Sequence, residues 1–192
     1  MRKDRCRIYF ATTNKDKFLE AESILKEYGI QLIFLGRRGI EIQSDSIEEI
    51  VRQSAINLSP STKIPAISED AGLFIDALKG FPGPYSSFVF RTLGCGGILR
   101  LLEGKSNRDA RFVSYVAYCE SNSEPVCFSG VSQGTIAMEA RGTGGFGFDP
   151  IFIPSGADTR TFAEMSRAEK GEHSHRAKAF RNLAEWLSAS KT

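Results

Sequence analysis

The sequence predicts a mixed α/β fold, and three observations support this class. A strand predicted over Arg7–Thr12 leads through a short polar loop into a helix whose apolar residues recur at helical spacing. Two longer strands are predicted over Arg111–Cys119 and Val126–Ile136. A C-terminal helix is predicted from about Ser174 to Ala189, because its apolar residues fall on one face. Strands and helices mixed in this way are typical of an α/β domain.

The length and composition indicate one ordinary globular domain. At 192 residues the chain is expected to form a single domain over residues 1–192. Its hydrophobic fraction of 41% and charged fraction of 25% are usual for a soluble protein. The net charge of +2 is too small to indicate a nucleic-acid-binding surface, and no apolar run approaches the length of a membrane span.

The cysteines and the N-terminal region indicate a cytoplasmic protein. Cys6, Cys95, Cys119 and Cys127 show no CxxC spacing and no cluster with histidine, so we expect a reduced protein without structural zinc. The apolar run Cys6–Ala11 is too short for the core of a signal peptide.

The loop after the first strand is a candidate anion site. It places backbone N–H groups at a helix N-terminus, beside Lys15 and Lys17, and helix N-termini favour bound anions. The GxxxxGK[ST] pattern is absent, so this is not a Walker A loop. The alternative is an ordinary strand-to-helix turn with solvated lysines.

Two adjacent acids, Glu69 and Asp70, stand between two strand-like apolar runs. Buried carboxylates are costly unless a cation or a metal meets them, which indicates a functional site. Gly72 is expected to let the backbone turn sharply beside the acids. The alternative is a solvated hairpin turn that carries two surface acids.

The middle of the chain carries three further local signals. Ser46–Glu49 matches a capping box and predicts the start of a helix. Lys79–Ser87 predicts a rigid loop, because its prolines and glycines pre-set the backbone. Ile98–Leu102 predicts a short helix that Gly104 closes.

The glycine-rich stretch Gly142–Pro150 predicts a loop rather than a strand or a helix. Its four glycines allow the backbone to approach a flat ligand, and Phe146 and Phe148 offer aromatic faces for stacking. The alternative is a bend whose phenylalanines fill the core.

Basic residues fall in the first turn of the predicted C-terminal helix. His175 and Arg176 follow Ser174, a plausible N-cap, and cations there oppose the helix dipole. A ligand that uses them is one interpretation, and a basic surface turn is the other. His173 and His175 lack the i, i+4 spacing of a helical metal pair, so a zinc site is rejected.

Five blocks of the sequence, taken in order, resemble the non-canonical purine nucleoside triphosphate pyrophosphatases. This is the inosine triphosphatase (HAM1/RdgB-like) family. The blocks span nearly the whole chain, and five together are far more specific than any one. They are 11–17 (ATTNKDK), 68–73 (SEDAGL), 80–86 (GFPGPYS), 144–152 (GGFGFDPIF) and, near the C-terminus, Glu164 and Met165 with Lys170, Ser174–Arg176 and Ala179.

The resemblance implies a fold and an activity. Such enzymes have an elongated central mixed β-sheet flanked by helices, with a substrate cleft between two lobes. They use Mg²⁺ to hydrolyse ITP, dITP and XTP to the monophosphate and pyrophosphate, and they are usually cytoplasmic homodimers. Neither a nucleic-acid nor a membrane partner is implied.

The resemblance also implies residue roles. Asp70 matches the catalytic acid and a metal ligand, Glu41 the second metal carboxylate, and Glu69 either a third ligand or a supporting group. Ala71 stands where many members have Ser or Thr, so only its backbone N–H is expected to contact substrate. The remaining substrate-binding residues are, for the phosphates, Thr12, Thr13, Asn14, Lys15, Asp16 and Lys17, and, for the base, Phe146, Gly147, Phe148, Asp149, Lys170, His175 and Arg176.

One departure from the family pattern concerns a second phosphate-contacting lysine. Its place is taken by Gln53, beside Arg52, so either Arg52 substitutes for it or the contact is absent. Two other functions stay open at this point. One is a non-catalytic nucleotide- or RNA-binding protein, against which the near-neutral charge and the intact carboxylates argue. The other is a Maf-type pyrophosphatase for modified pyrimidine nucleotides, against which the residues matched to a purine pocket argue.

Overall fold

The computed structural model describes residues 6–58, 62, 64–121 and 123–189, and it confirms the mixed α/β class. The strands are β1 (Arg7–Phe10), β2 (Gln31–Phe34), β3 (Ala66–Ile75), β4 (Pro82–Gly83), β5 (Asp109–Cys119), β6 (Val126–Ile136) and β7 (Phe152–Pro154). The helices are α1 (Lys15–Glu27), α2 (Ile47–Leu58), α3 (Ser86–Leu101), α4 (Arg167–His173) and α5 (His175–Ala189).

The described strands form one mixed sheet in the order β2-β1-β3-β5-β6-β7, with the short β4 paired to β3. Strand β1 is parallel to both of its neighbours, and its Phe10 pairs with Phe34 of β2 and with Ile67 of β3. Strand β4 is antiparallel to β3, and β7 is antiparallel to β6. The sheet therefore combines parallel and antiparallel pairs.

The chain divides into two compact units, each with its own hydrophobic core. The first unit takes the described residues within 1–70, 114–130 and 176–192. In its core, β1 packs against helices α1 and α5, because all three place apolar residues inward. The ring of Phe10 meets the ring of Phe180 edge to face, with 5.6 Å between centroids.

The second unit takes residues 71–113 and 131–175. Its core is rich in phenylalanine, and Phe112 packs against Phe152 with 4.8 Å between ring centroids. Helix α3 contributes Val89 and Ile98 to this core.

Strand β3 corrects one expectation from the sequence. The acids Glu69 and Asp70 do not lie at a turn, and the backbone does not reverse at Gly72. All of these residues belong to one continuous strand of ten residues. The apolar runs on either side are the two ends of this strand.

Two helices also differ from expectation. Helix α3 begins at Ser86, well before the predicted Ile98, and it bends at Gly94, whose φ of 64° is not helical. A separate helix, α4, precedes the C-terminal helix, and Ser174 caps the end of α4 before α5 begins at His175. Among the described residues, no helix has both the length and the apolar character to span a membrane.

A single hydroxyl group ties β3 to the start of α3. The Leu73 N–H donates to Ser86 Oγ at 2.8 Å, and that hydroxyl donates to the Gly83 carbonyl at 2.7 Å. Ser86 is buried, so water cannot replace it freely.

We predict that Ser86→Ala lowers the free energy of unfolding by about 1–3 kcal/mol, because it leaves a buried N–H without its acceptor. The matched control is Ser87→Ala, since Ser87 is exposed and its hydroxyl accepts a bond from the exposed Arg91 Nη1. It is expected to change stability by less than about 0.5 kcal/mol. Urea denaturation of both variants measures the difference, and equal effects would contradict the assignment.

Candidate active site

The loop that precedes α1 is organised by its own side chains. Asn14 caps the helix, and its Oδ1 accepts the N–H groups of Asp16 and Lys17 at 2.9 and 3.1 Å. The Asn14 N–H in turn donates to the buried Thr12 Oγ1 at 3.0 Å. Lys15 and Asp16 are exposed. Two of the backbone donors that the sequence offers to an anion are therefore already engaged by the cap.

Lys17 extends from this loop to the two acids of β3. Its Nζ lies 3.1 Å from Glu69 Oε2 and 3.3 Å from Asp70 Oδ1. The predicted phosphate lysine and the predicted catalytic acid therefore meet in the first unit. The Asp70 side chain keeps 27% of its surface exposed, so it remains open to a ligand or to water. Ala71, the next residue of β3, is partly buried.

Glu69 is enclosed, in contrast to its neighbour. Its side chain has no exposed surface, and its Oε1 accepts Ser114 Oγ at 2.7 Å and Arg176 Nε at 3.0 Å. Burial alone raises the pKa of Glu69, but the charges of Arg176 and Lys17 and the Ser114 hydroxyl outweigh burial and hold it at about 2. The carboxylate is ionised at neutral pH.

Arg176 is also buried, and its guanidinium bridges two carboxylates. Besides the bond to Glu69, its Nη1 lies 2.7 Å from Glu20 Oε2. Burial alone lowers the pKa of Arg176, but Glu69 and Glu20 raise it above its usual range. The Arg176 guanidinium thus contacts Glu69 and Glu20 in the first unit. Its expected contact with a base stays a prediction.

The carboxylates of Asp70, Glu41 and Glu69 differ in how well they could hold a divalent cation. Mg²⁺ takes one or two protein carboxylates and keeps several waters. Asp70 is partly open, and Glu41 is half exposed with Arg38 Nη1 at 3.5 Å, so both offer accessible oxygens. Glu69 fits poorly, because two cations already surround its enclosed carboxylate. No group of three or more candidate ligands occurs among the described residues.

Two arginines bear on the missing phosphate-contacting lysine. Arg52 donates to the Pro125 carbonyl at 3.0 Å, away from the loop residues. Arg38, which the sequence analysis did not single out, donates from Nε to Thr13 Oγ1 at 3.1 Å and approaches Glu41. No local pattern marks Arg38, because only the folded chain brings it beside the loop.

The second unit holds the glycine-rich loop in a fixed form. Asp149 Oδ2 accepts the Phe146 N–H at 2.8 Å and pairs with Lys170 Nζ at 2.6 Å. Lys170 also lies 4.7 Å from the centroid of the Phe146 ring. Gly145 has a φ of 67°, and a Cβ there would lie 2.0 Å from Asp149 Oδ2. This buried ion pair, rather than the glycines alone, determines where Phe146 lies.

Other members of the predicted base pocket are core residues. Phe148 is 3% exposed and meets Phe90 edge to face, so the alternative that it fills the core describes its position. His175 is buried and stacks on Phe112, with 4.6 Å between centroids. The Gly147 carbonyl lies 3.7 Å from Cys95 Sγ. Phe146 is the less buried aromatic of the loop and therefore the better candidate for stacking on a ligand.

Comparison with known proteins identifies the family. Residues 8–186 match the Ham1 family, which is most of the chain. The chain belongs to the Ham1 family. This confirms the resemblance drawn from the five sequence blocks.

Named relatives and solved structures agree with this membership. The chain is 52% identical to the dITP/XTP pyrophosphatase of Methanopyrus kandleri over 94% of this chain and 95% of that protein. It is 47% identical to the dITP/XTP pyrophosphatase of Thermococcus kodakarensis over 94% and 97% of the two chains. The HAM1 protein structure from Coxiella burnetii superposes with a TM-score of 0.84 at 32% identity, over 96% of this chain and 99% of that chain.

We predict that Gly145→Ala lowers the free energy of unfolding by about 1–3 kcal/mol. The added methyl group meets the Asp149 carboxylate, and the alanine must keep a positive φ that is unfavourable for a residue with a Cβ. Gly171→Ala in α4 is the matched control, because a Cβ there meets nothing within 4 Å and the backbone is helical. Urea denaturation compares them, and a destabilised control with an unaffected Gly145 variant would refute the prediction.

Proposed function

We propose that the chain hydrolyses non-canonical purine nucleoside triphosphates, namely ITP, dITP and XTP, to the monophosphate and pyrophosphate. The observation that carries this proposal is Lys17 Nζ between Glu69 and the partly open Asp70, beside the Thr12–Lys17 loop. It occurs in a Ham1-family chain whose relatives are named dITP/XTP pyrophosphatases. Nucleotide pyrophosphatases of this kind are generally metal-dependent.

The direct test is pyrophosphate release from ITP in the presence of Mg²⁺. Purified protein is expected to form one IMP and one pyrophosphate for each ITP consumed. A protein that only binds nucleotides would form neither product. Release of single phosphates, with IDP as an intermediate, would contradict the proposed cleavage at the α-phosphorus.

The metal is assigned to Mg²⁺, held by Asp70 and Glu41. When bound there, it neutralises phosphate charge and lowers the pKa of nearby water. Asp70 accepts a proton from the water that attacks the α-phosphorus, since its carboxylate is partly exposed and adjacent to the phosphate lysine. Glu41 is the second carboxylate that would hold the metal, and Arg38 orients it.

The phosphates are assigned to the loop and to Lys17. The ammonium group of Lys17 meets negative charge that develops on the departing pyrophosphate. Thr12, Thr13, Asn14, Lys15 and Asp16 complete the loop, and the Ala71 N–H is the further backbone donor. The Asn14 cap keeps the loop in one conformation.

The base is assigned to the glycine-rich loop and the start of α5. Inosine and xanthosine carry a 6-keto acceptor, whereas adenosine carries a 6-amino donor. A donor from His175 or Arg176 satisfies the keto group and leaves the amino group opposed by a second donor. Phe146 stacks on the ring, and Gly147, Phe148, Asp149 and Lys170 hold that loop in place.

The proposed activity belongs to the whole chain, acting as a homodimer. Residues 1–192 act as one inosine-triphosphatase-like domain that works as a homodimer in the cytoplasm, where the nucleotide pool is. The dimer is supported by the family resemblance and by large apolar side chains that α3 exposes, such as Phe88 and Leu93. Light scattering measures the molar mass, and a monomer at micromolar concentration would refute the dimer.

We predict that Asp70→Asn lowers the turnover of ITP by about 10²-fold or more, because it removes both a metal oxygen and the proton acceptor. Glu41→Gln is expected to raise the Mg²⁺ concentration at half-maximal rate. Steady-state rates over a Mg²⁺ titration measure both effects. Near-normal turnover in Asp70→Asn, or an unchanged metal requirement in Glu41→Gln, would remove the corresponding assignment.

We predict that Lys17→Ala weakens the binding of a triphosphate more than that of IMP, because IMP lacks the phosphates that leave. Calorimetry with a non-hydrolysable ITP analogue and with IMP measures the two affinities. The loss should shrink as salt rises, since the interaction is electrostatic. Lys26→Ala, at the far end of α1, is the control, and equal losses for both ligands would place Lys17 elsewhere.

We predict that ITP and XTP have a higher kcat/KM than ATP, and that Phe146→Ala lowers the value for all three purines by a similar factor. Stacking adds affinity without choosing the base. Met138→Ala, which removes a large exposed apolar side chain of the second unit, is the control. A Phe146 variant that changes the ITP/ATP ratio would show that this ring reads the base edge.

A further inference from the structure

Glu69 has no direct contact with substrate in the function proposed above. Its carboxylate is fully buried, and three groups from distant parts of the chain converge on it. Ser114 Oγ and Arg176 Nε bond to Oε1, and Lys17 Nζ lies 3.1 Å from Oε2. Burying a carboxylate with two cationic partners carries a large desolvation penalty. The effect of Glu69 on those partners can therefore indicate its role.

The environment of Glu69 argues against a metal ligand. A Mg²⁺ ion sits about 2.0–2.1 Å from its ligand oxygens and keeps several waters. Around Glu69 the oxygens already face an ammonium and a guanidinium group, and the side chain has no exposed surface for those waters. Asp70, one residue further, has the open surface that Glu69 lacks.

The same environment suits a positioning role toward Lys17. A lysine side chain has several rotatable bonds, and an unanchored ammonium group is free to move into solvent. Arg176 Nε bonds to Oε1, whereas Lys17 Nζ lies 3.1 Å from Oε2, so Arg176 neutralises part of the Glu69 charge from the other oxygen. Lys17 is therefore held in place while its own charge stays available for a phosphate.

We propose that Glu69 is a positioning residue that holds Lys17 Nζ beside Asp70, with Arg176 and Ser114 fixing Glu69 in turn. This inference rests on the proposed function, since it gives a role to the phosphate lysine of that site. A positioning role replaces the alternative that Glu69 is a third metal ligand.

The test measures the binding of inorganic tripolyphosphate by calorimetry in EDTA. This probe has no base, and the chelator removes any metal, so the readout reports the phosphate site alone. Loss of a negative charge beside the site would by itself strengthen anion binding. We expect Glu69→Gln instead to weaken it about 10-fold, because Lys17 is no longer held.

A double-mutant cycle identifies Lys17 as the group through which Glu69 acts. In the Lys17→Ala background, Glu69→Gln is expected to change the tripolyphosphate affinity by less than about 2-fold, because the positioned group is gone. Additive losses in the double variant would overturn the proposal. Tighter binding by Glu69→Gln alone would also overturn it.

Two further variants guard against a purely structural effect. Glu20→Gln removes the other carboxylate of Arg176 and leaves the Glu69–Lys17 pair intact, so tripolyphosphate binding should stay within about 2-fold of wild type. Ser114→Ala removes only a neutral bond to Glu69, and it serves if Glu69→Gln does not fold. We expect Ser114→Ala to weaken binding a few-fold, and only when Lys17 is present.

The metal requirement separates the two roles of adjacent acids. Glu69→Gln, or Ser114→Ala in its place, should leave the Mg²⁺ concentration at half-maximal ITP hydrolysis unchanged, whereas a rise would make Glu69 a ligand and overturn the proposal. If wild type releases no pyrophosphate from ITP, the proposed function fails, but the tripolyphosphate cycle still decides the positioning role. Wild-type protein that shows no Lys17-dependent tripolyphosphate binding would overturn it.

Discussion

The first unit depends on the neutralisation of one buried carboxylate. Glu69 lies in the middle of β3 with no exposed surface, and such a charge is tolerated only when it is paired and hydrogen-bonded. Its main partner, Arg176, is 107 residues away in sequence and belongs to the first turn of α5. The ion pair therefore joins the first turn of the C-terminal helix to β3, and the apolar face of α5 completes the core around Phe10.

The second unit also contains a buried carboxylate that is neutralised by a cation. Asp149 and Lys170 are both buried and lie 2.6 Å apart, so each neutralises the other. The carboxylate also accepts the Phe146 N–H, which fixes the backbone of the glycine-rich loop. Each unit thus contains a buried ion pair beside a residue of the proposed site, Lys17 in the first unit and Phe146 in the second.

The sequence predicted those features that local chemistry determines. The periodicity of α1 and α5 marks two helices, and Ser46 caps α2 as the capping box indicates, although Glu49 bonds to Ser44 instead of completing the box. Long-range features were missed. Helix α3 was predicted too short, because the glycines near Gly94 break its helical pattern. A turn was predicted at the acids of β3, because charged residues usually mark a surface, and the distant partners that bury Glu69 leave no local signal.

The same distinction applies to the charged residues of the candidate site. It showed which groups carry charge, but the fold decides which of those charges are already neutralised. The N–H groups of Asp16 and Lys17 are engaged by Asn14, so these two backbone donors are not open to an anion as the pattern suggests. Lys17 is the side chain of this region that reaches the acids, and its Nζ lies beside both Glu69 and Asp70. Two ion pairs, Lys17 with Glu69 and Glu69 with Arg176, thus link the phosphate lysine of the proposed site to helix α5.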